Sequence, residues 1–223
     1  MREIVLDTET TGLKANDGDR LVEIGCVELD NHVATGQHYQ AYINPERDMP
    51  DEAFNVHGLS EEFLSDKPLF SDVIDGFLEF IEDSTLIIHN AEFDIGFLNA
   101  ELCNIGKPTI PMERAIDTVK IARQKFPGSR VNLDALCSKF QIDNTNRTLH
   151  GALLDAQLLS EVYLELVGGR QPGLKLATEK AKIMSETVES TTQRTARAHA
   201  PTSNEATAHE EFLGQLTDPI WCA

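Results

Sequence analysis

The chain has 223 residues, of which 41% are apolar and 25% are charged, and its formal net charge at pH 7 is −18. This length accommodates one α/β domain and an extension, and no apolar run approaches the roughly 20 residues that span a bilayer. The first residues already follow a strand pattern, so we expect no signal peptide, no membrane association and a cytoplasmic protein. The four cysteines form no C-x-x-C pair, which argues against a zinc or redox motif.

Acidic and basic residues are distributed unevenly along the chain. Residues 1–111 contain 23 acidic and 6 basic residues, a net charge of −17, whereas residues 112–150 contain 4 acidic and 7 basic residues, a net charge of +3. The acidic excess argues against a broad phosphate-binding surface, because phosphate contacts usually come from lysine and arginine. A site that holds divalent metal ions brings its own positive charge to a phosphate, so the composition does not exclude a nucleic-acid substrate.

The first element is a short apolar run, Ile4 to Leu6, which predicts a buried strand. Two carboxylates follow it, Asp7 and Glu9, and residues two apart on a strand face the same side. Two carboxylates that face one point repel each other unless a cation lies between them. Taken alone, such a pair usually marks a strand end with hydrated acidic side chains, so a site requires further ligands from other elements.

The following elements predict an α/β fold. Strands are expected at 21–29, which alternates as a half-buried strand does, and at 39–43, and short links favour an antiparallel meander with the first strand. Another buried strand is expected at 85–89. Helical periodicity is found from Ser60, over 70–81, after a predicted N-cap at Asn90, over 116–126, over 132–140 and over 151–167. This order indicates a mixed central sheet flanked by helices.

Two more carboxylates follow at element ends. Asp94 lies in the first turn of the helix after strand 85–89, where an acid often complements the helix dipole. Asp155 lies among leucines in the first turns of the last helix, and an aspartate is rarely buried without a partner or a metal ion. Together with Asp7 and Glu9, these side chains form a ligand set for two hard divalent cations, Mg²⁺ or Mn²⁺.

His150 is the predicted general base. Five residues of ideal helix advance about 500°, which would leave His150 and Asp155 about 140° apart. We therefore expect His150 in the turn before the helix, from which it reaches over the site and is mobile. The alternative for a single histidine is a hydrogen-bonded structural residue, and the four nearby carboxylates favour the base.

Three motifs resemble those of the DEDD exonucleases, in the branch with an H-x-x-x-x-D third motif. They are DTETTG at 7–12, HNAEFD at 89–94 and HGALLD at 150–155. The resemblance covers about residues 2–169 and is closest to the proofreading 3′→5′ exonuclease subunits of bacterial replicative polymerases. Supporting stretches are AFNVHG at 53–58 and NLDALC at 132–137.

The resemblance implies a ribonuclease H-like fold and a catalytic set. The implied residues are Asp7, Glu9, Asp94 and Asp155 as ligands of two Mg²⁺ or Mn²⁺ ions, His150 as base, and Asp7, Glu9, Asp155, Glu52 and His57 as contacts of the substrate. The implied substrate is a single-stranded or frayed DNA 3′ end. Read without the resemblance, His57 before Gly58 is a loop residue with a turn hydrogen bond. Phe54 and Phe93 either stack on bases or belong to the core.

The sequence after the last helix predicts an extension. We expect an exonuclease domain at 1–169, a flexible linker at 170–209 rich in Thr, Ser, Ala and Glu, and a docking tail at 210–223 that regains apolar residues. By resemblance, the tail binds the polymerase catalytic (alpha) subunit, and a small theta-like subunit is a further partner. The peptide QPGLKL at Gln171–Leu176 resembles a sliding-clamp-binding peptide, or is a linker with two isolated leucines.

Two other functions remain open from the sequence. One is a DEDD-type 3′→5′ exoribonuclease of the ribonuclease T or oligoribonuclease kind, although such an enzyme needs neither linker nor docking tail. The other is a scaffold that bridges polymerase and clamp, which the complete carboxylate set argues against.

Overall fold

The computed structural model describes residues 1–145, 147, 149–168 and 200–215. The chain divides into two compact units, Met1–Leu174 and Lys175–Ala223, and each is described by itself. The resemblance to a clamp-binding peptide at 171–176 lies outside the described residues, as do most of the predicted linker and the last eight residues of the predicted tail.

The first unit is built on one mixed sheet of five strands in the order β3-β2-β1-β4-β5. The strands are β1 (Arg2–Thr10), β2 (Leu21–Asp30), β3 (Val33–Tyr42), β4 (Thr85–Ile88) and β5 (Ala115–Asp117). β1 to β3 form the predicted antiparallel meander, and β4 pairs in parallel with both β1 and β5. The central sheet is confirmed, whereas the short strand β5 replaces the start of a helix predicted from residue 116.

Seven α-helices of this unit are described. They are α1 (Asp51–His57), α2 (Glu61–Leu64), α3 (Phe70–Ile81), α4 (Ala91–Asn104), α5 (Thr118–Lys125), α6 (Leu133–Phe140) and α7 (Ala152–Val167). The bounds of α3 agree with its apolar periodicity, while α1 was not predicted. None of the described helices is both long and apolar enough to cross a membrane.

The helices cover both faces of the sheet, which corrects the prediction that residues 21–29 form a half-buried strand. β1 sends Ile4 and Leu6 to a core shared with α3 and α4, and sends Val5 to a second core shared with α5, α6 and α7. Consecutive strand residues face opposite sides, so both faces require apolar side chains. β2 is consequently buried over nearly its whole length, including Glu23 and Gly25.

The start of α4 also differs from the prediction. Asn90 occupies the N-cap position, but its backbone is left-handed (φ 78°) and its side chain makes no capping hydrogen bond. Instead, the Asn90 backbone N–H lies 3.3 Å from Asp117 Oδ1 and donates to it. The turn therefore ties the end of β4 to the end of β5, which fixes the direction in which α4 leaves the sheet.

In the second unit, the structure describes one helix, Ser203–Leu213. Thr202 caps it by accepting from the Glu205 backbone N–H, and the Glu205 carboxylate accepts from the Thr202 backbone N–H at 2.8 Å. This capping box lies within the predicted linker, and the predicted boundary between linker and tail at 209/210 falls inside the helix. Residues 203–209 are therefore helical, where the composition predicts a linker.

Candidate active site

The five side chains predicted to do chemistry line one cavity of about 340 Å³. Asp7 and Glu9 come from β1, Asp94 from the first turn of α4, Asp155 from the first turn of α7, and His150 from the loop before it. β1 and β4 are parallel, so the elements that follow them emerge at the same edge of the sheet. The topology thus brings together residues that lie up to 148 positions apart.

Burial and mutual repulsion dominate the electrostatics of three of these carboxyl groups. Burial, followed by the charges of Asp94, Glu9 and Asp155, raises the pKa of Asp7 well above its usual range. Burial, followed by the charges of Asp155, Glu23 and Asp94, raises the pKa of Glu9 to about 8. Burial also raises the pKa of Asp94, although the Thr8 hydroxyl donates to Asp94 Oδ1 at 2.6 Å. The protein alone therefore supplies too little positive charge for the full set to ionise.

Strand β2 positions the start of α7 and therefore Asp155. The buried Glu23 accepts from the Ala152 backbone N–H through Oε2 at 3.1 Å, and Gln40 donates to Glu23 Oε1 at 2.7 Å. Gly25 lies directly beneath the helix start, where an added Cβ would be 2.2 Å from the Leu153 nitrogen. A carboxylate and an absent side chain on one strand thus fix the first turn of the helix.

Arg147 is a site residue that sequence reasoning missed. Its guanidinium forms two hydrogen bonds with Asp155, Nε to Oδ1 at 2.6 Å and Nη2 to Oδ2 at 2.7 Å, and Nη1 lies 2.9 Å from both oxygens of Asp134. Burial raises the pKa of Asp155, but the hydrogen bonds from Arg147 and His150 outweigh it, so this pKa is lowered overall. The hydrogen bond with Asp155 raises the pKa of Arg147 in turn.

His150 lies in the loop before α7, as its spacing from Asp155 predicts. Its ring is 46% exposed, with Nδ1 3.4 Å from Asp155 Oδ2 and 2.9 Å from Arg147 Nη2. Its backbone N–H donates to the Val56 carbonyl at 3.0 Å, so the loop is tied to α1. The mobility of His150 stays a prediction.

A second cavity of about 530 Å³ adjoins the first and holds Glu52 and His57. The two cavities share Thr8, Glu9 and Phe93, whereas Asp7 and Asp155 line only the first. The structure therefore brings Glu9 together with both of the residues predicted to contact the terminal nucleotide.

His57 and the two phenylalanines differ in burial. His57 is the last residue of α1 rather than a loop residue, but its predicted turn hydrogen bond is present, since the Leu59 N–H donates to Nδ1 at 3.0 Å. Burial lowers the pKa of His57. Phe93 packs against the core and also lines both cavities, while Phe54 is 41% exposed and lines neither of them.

The donor set of the first cavity fits a hard divalent cation. Glu9, His150 and Asp155 each offer one ligand atom, and these atoms lie within 4.8 Å of one another. Glu9 Oε1 is buried and has no hydrogen-bond partner among the residues that the structure describes. A buried carboxylate oxygen without a donor is costly unless a cation or a protonated neighbour satisfies it, and oxygen ligands suit Mg²⁺ and Mn²⁺.

Comparison with known proteins accounts for this geometry. A family model described as exonuclease (RNase_T) matches residues 4–163. The chain belongs to the exonuclease family. The resemblance carried by the three DEDD motifs is confirmed, and the protein is a nuclease. The DEDD exonucleases depend on divalent metal ions.

Bacterial relatives match this exonuclease along nearly its whole length. It is 53% identical over 222 residues to the DNA polymerase III subunit epsilon of Rickettsia conorii, a match that covers 97% of this chain and 96% of the relative. It is 44% identical over 226 residues to the DNA polymerase III subunit epsilon of Escherichia coli, with 95% and 92% covered. The similarity therefore extends beyond the nuclease domain into the second unit.

Solved structures share the fold. Exonuclease X in complex with 5′ overhanging duplex DNA superposes with a TM-score of 0.59 and 27% identity, covering 74% of this chain and 90% of that one. The nuclease domain of 3′hExo, a DEDDh family member bound to rAMP, superposes with a TM-score of 0.65 over 74% of this chain and 91% of that one, at 18% identity. The predicted ribonuclease H-like α/β fold is confirmed.

Proposed function

We propose that this exonuclease is the proofreading subunit of a bacterial replicative DNA polymerase, which removes nucleoside monophosphates from a mismatched DNA 3′ end. The observation that carries the proposal is the single cavity lined by Asp7, Glu9, Asp94, Asp155 and His150. The relatives named DNA polymerase III subunit epsilon support the same assignment, because they align along nearly the full chain.

The carboxylates and His150 have separate tasks in this proposal. Asp7, Glu9, Asp94 and Asp155 would hold two Mg²⁺ or Mn²⁺ ions, which supply positive charge to the attacking water and to the leaving 3′ oxygen. Nδ1 of His150 lies 3.4 Å from Asp155 Oδ2, and Nε2 lies 3.2 Å from Arg147 Nη2. Once that contact with Arg147 opens, Nε2 would take the proton of the attacking water. The exposed ring and its loop position give that nitrogen access to solvent and substrate.

The second cavity is suited to the terminal nucleotide. Its lining combines apolar groups, among them Val56 and Phe93, with Glu52 and His57. An aromatic face accepts any base by stacking, whereas a polar side chain can hydrogen-bond the sugar or its hydroxyl. Glu9 belongs to both cavities, so a nucleotide bound in the second places its phosphate toward the carboxylates of the first.

The proposal is tested by Asp7→Ala in the full chain. We expect nucleotide release from a mismatched primer to fall at least about a thousandfold, since the change removes a ligand that several kcal/mol of transition-state stabilisation depend on. Far-UV circular dichroism should be unchanged. Asp83→Ala, at an exposed position after α3, is the matched control and should retain full activity. Retained hydrolysis in Asp7→Ala would contradict the proposal.

The exoribonuclease alternative is separated by substrate. The same protein is given a DNA primer and an RNA oligomer of equal sequence, and release of monophosphates is measured for both. We expect faster degradation of DNA. Faster degradation of RNA would replace the proofreading role with an exoribonuclease of the ribonuclease T or oligoribonuclease kind.

The partners are part of the proposal. A polymerase catalytic (alpha) subunit would bind through residues 210–223 and a clamp through 171–176, and a small theta-like subunit would be a further partner, in a cytoplasmic replicase. The described part of the tail offers Phe212, which is 55% exposed. Deleting residues 170–223 should abolish co-purification with the polymerase and spare nuclease activity, whereas a chain that acts mainly as a scaffold would show little hydrolysis before or after the deletion.

A further inference from the structure

We infer that Arg147 is a protein-borne counter-cation of the active site, which pairs with both Asp155 and Asp134 in the absence of metal and releases Asp155 while keeping Asp134 when a divalent cation binds. The inference rests on the proposed function, because it takes the carboxylates as metal ligands. It assigns a positioning role to Arg147 and an auxiliary role to Asp134, neither of which the three motifs contain.

The first observation is the way the guanidinium is held. The Arg147 side chain is 7% exposed, and its Nε and Nη2 atoms donate to the two oxygens of Asp155. A bidentate pair of this kind is among the strongest hydrogen-bonding arrangements in proteins. Arg147 is also the only lysine or arginine among the described residues that line the carboxylate cavity. Within the described part of the chain, it is therefore the one fixed positive charge in the cavity that Asp7, Glu9, Asp94 and Asp155 line.

The second observation is that the guanidinium has a second carboxylate partner. Its Nη1 atom is 2.9 Å from both oxygens of Asp134 on α6, and that carboxylate is about half exposed. Asp134 can therefore retain Arg147 after the bonds to Asp155 are broken. Since Asp134 lies at the rim of the cavity, the positive charge stays attached to the protein while Asp155 becomes available.

Competition at Asp155 follows from charge and geometry. A divalent cation at Asp155 would lie beside the guanidinium, and two positive charges in a partly buried site repel strongly. Both oxygens of Asp155 already accept short hydrogen bonds, so a cation gains full access only after one of them is released. Arg147 also contacts the His150 ring, so its movement would change the position of the proposed base.

Calorimetric titration of Mn²⁺ into the full chain tests the competition. We expect Arg147→Met to bind Mn²⁺ on the order of tenfold more tightly than wild type, since a charge-assisted pair no longer has to be broken. Arg123→Met, which removes the same charge from an exposed position on α5, should bind Mn²⁺ as wild type does. Equal or weaker binding by Arg147→Met would overturn the inference. If circular dichroism shows that this variant does not fold, Arg147→Gln replaces it with the same expectation.

Asp134→Asn tests the role of Asp134 as the second partner of Arg147. We expect this variant to bind Mn²⁺ several-fold more weakly than wild type, because Arg147 then lacks the carboxylate that would retain it after Asp155 is released. We expect no such loss when Arg147→Met is also present. A loss of equal size in both backgrounds would make Asp134 a direct contributor to metal binding and would overturn its assigned role.

The Arg147 Nε–H resonance reports the movement directly. We expect a solvent-protected signal in EDTA, assigned by its absence in Arg147→Lys, that shifts or disappears on addition of Mg²⁺. An unchanged signal at saturating Mg²⁺ would overturn the inference. These measurements do not depend on hydrolysis, so an inactive protein with the expected metal binding would contradict only the proposed function, and an active one without it only the inference.

Discussion

Two partly buried arginine–carboxylate pairs in this protein have nearly the same geometry and different surroundings. Arg20 donates to Glu101 through Nε at 2.6 Å and Nη2 at 3.0 Å, and the Leu21 N–H also faces Glu101 Oε1. Arg147 donates to Asp155 through the same two nitrogen positions at 2.6 and 2.7 Å. The first pair joins the start of β2 to α4, and the second lies in the active site.

The difference between the pairs is the charge around them. The charge of Glu101 is compensated by one guanidinium, so that pair acts as a structural link between two elements. Asp155 shares Arg147 with Asp134 and lies in a cavity with Asp7, Glu9 and Asp94. A buried pair is stabilising only when its charges are fully compensated. The same bidentate contact is therefore structural in one place and exchangeable in the other.

Charge-neutralising variants of the two acids separate these roles most strongly. We expect Asp155→Asn to lower nucleotide release from a mismatched primer at least about a thousandfold, because a proposed metal ligand is lost. Glu101→Gln, measured at a temperature where it is folded, should retain activity within about twofold, since Glu101 lines neither cavity. Equal losses in the two variants would contradict the distinction.

Stability should respond in the opposite order, which provides the control. Urea denaturation in EDTA should show a loss on the order of 1 to 2 kcal/mol for Glu101→Gln, because the charge-assisted hydrogen bonds from the partly exposed Arg20 side chain are weakened. Asp155→Asn should cost less, since it also removes one of several mutually repelling carboxylates. A larger loss of unfolding free energy for Asp155→Asn would show that the active-site pair also has a structural role.

Gly25→Ala is expected to have the next largest effect on activity. The added methyl group would collide with the backbone at Ala152 and Leu153, displacing the helix start that carries Asp155. A displacement of about 1 Å at a catalytic group costs on the order of a hundredfold in rate, which nucleotide release would measure. Gly76→Ala, whose Cβ would meet Tyr39 at an ordinary 3.6 Å, is the control and should keep full activity.

The smallest expected effect is a pH dependence of the metal-free protein. The pKa of Glu9 is about 8 in the folded chain against an ordinary 4.5, so above pH 4.5 the folded state holds a proton that the unfolded state has lost. Stability therefore falls as pH rises through this window and levels off above about pH 8. The melting temperature in EDTA should be several degrees lower at pH 8.5 than at pH 6.

The matched variant for the pH experiment is Glu9→Gln, in which this slope should be smaller. Mg²⁺ should also reduce the slope in wild type, because a cation compensates ionised carboxylates at any of these pH values. A melting temperature that is flat or rises between pH 6 and pH 8.5 without metal would contradict the raised pKa of Glu9.

The periodicity of apolar residues was sufficient to predict the regular helices and strands of the fold. The apolar period over Phe70–Ile81 gives the bounds of α3, and alternation along β1 places Asp7 and Glu9 on one face. The spacing of His150 and Asp155 also predicts a loop position for the histidine. The strand β5 has only three residues, too few to show a period, and its pairing with β4 is decided by tertiary structure.

Features that depend on contacts between distant segments were not predictable. Arg147 lies in an irregular loop, and its partners Asp155 and Asp134 are eight and thirteen residues away. Its position three residues before His150, in a chain with a large acidic excess, was the only available signal. The start of the helix Ser203–Leu213 was predictable from the sequence, since Thr202 and Glu205 have the spacing of a capping box.

The wall shared by the two cavities has a kinetic consequence. Glu9 and Phe93 line both the space proposed for the terminal nucleotide and the space that holds the reacting groups. Substitutions there would alter ground-state binding and transition-state stabilisation together, so KM and kcat would change in a correlated way. Substrate selectivity and turnover would then be coupled at this shared wall, and a substitution of Glu9 or Phe93 would change both.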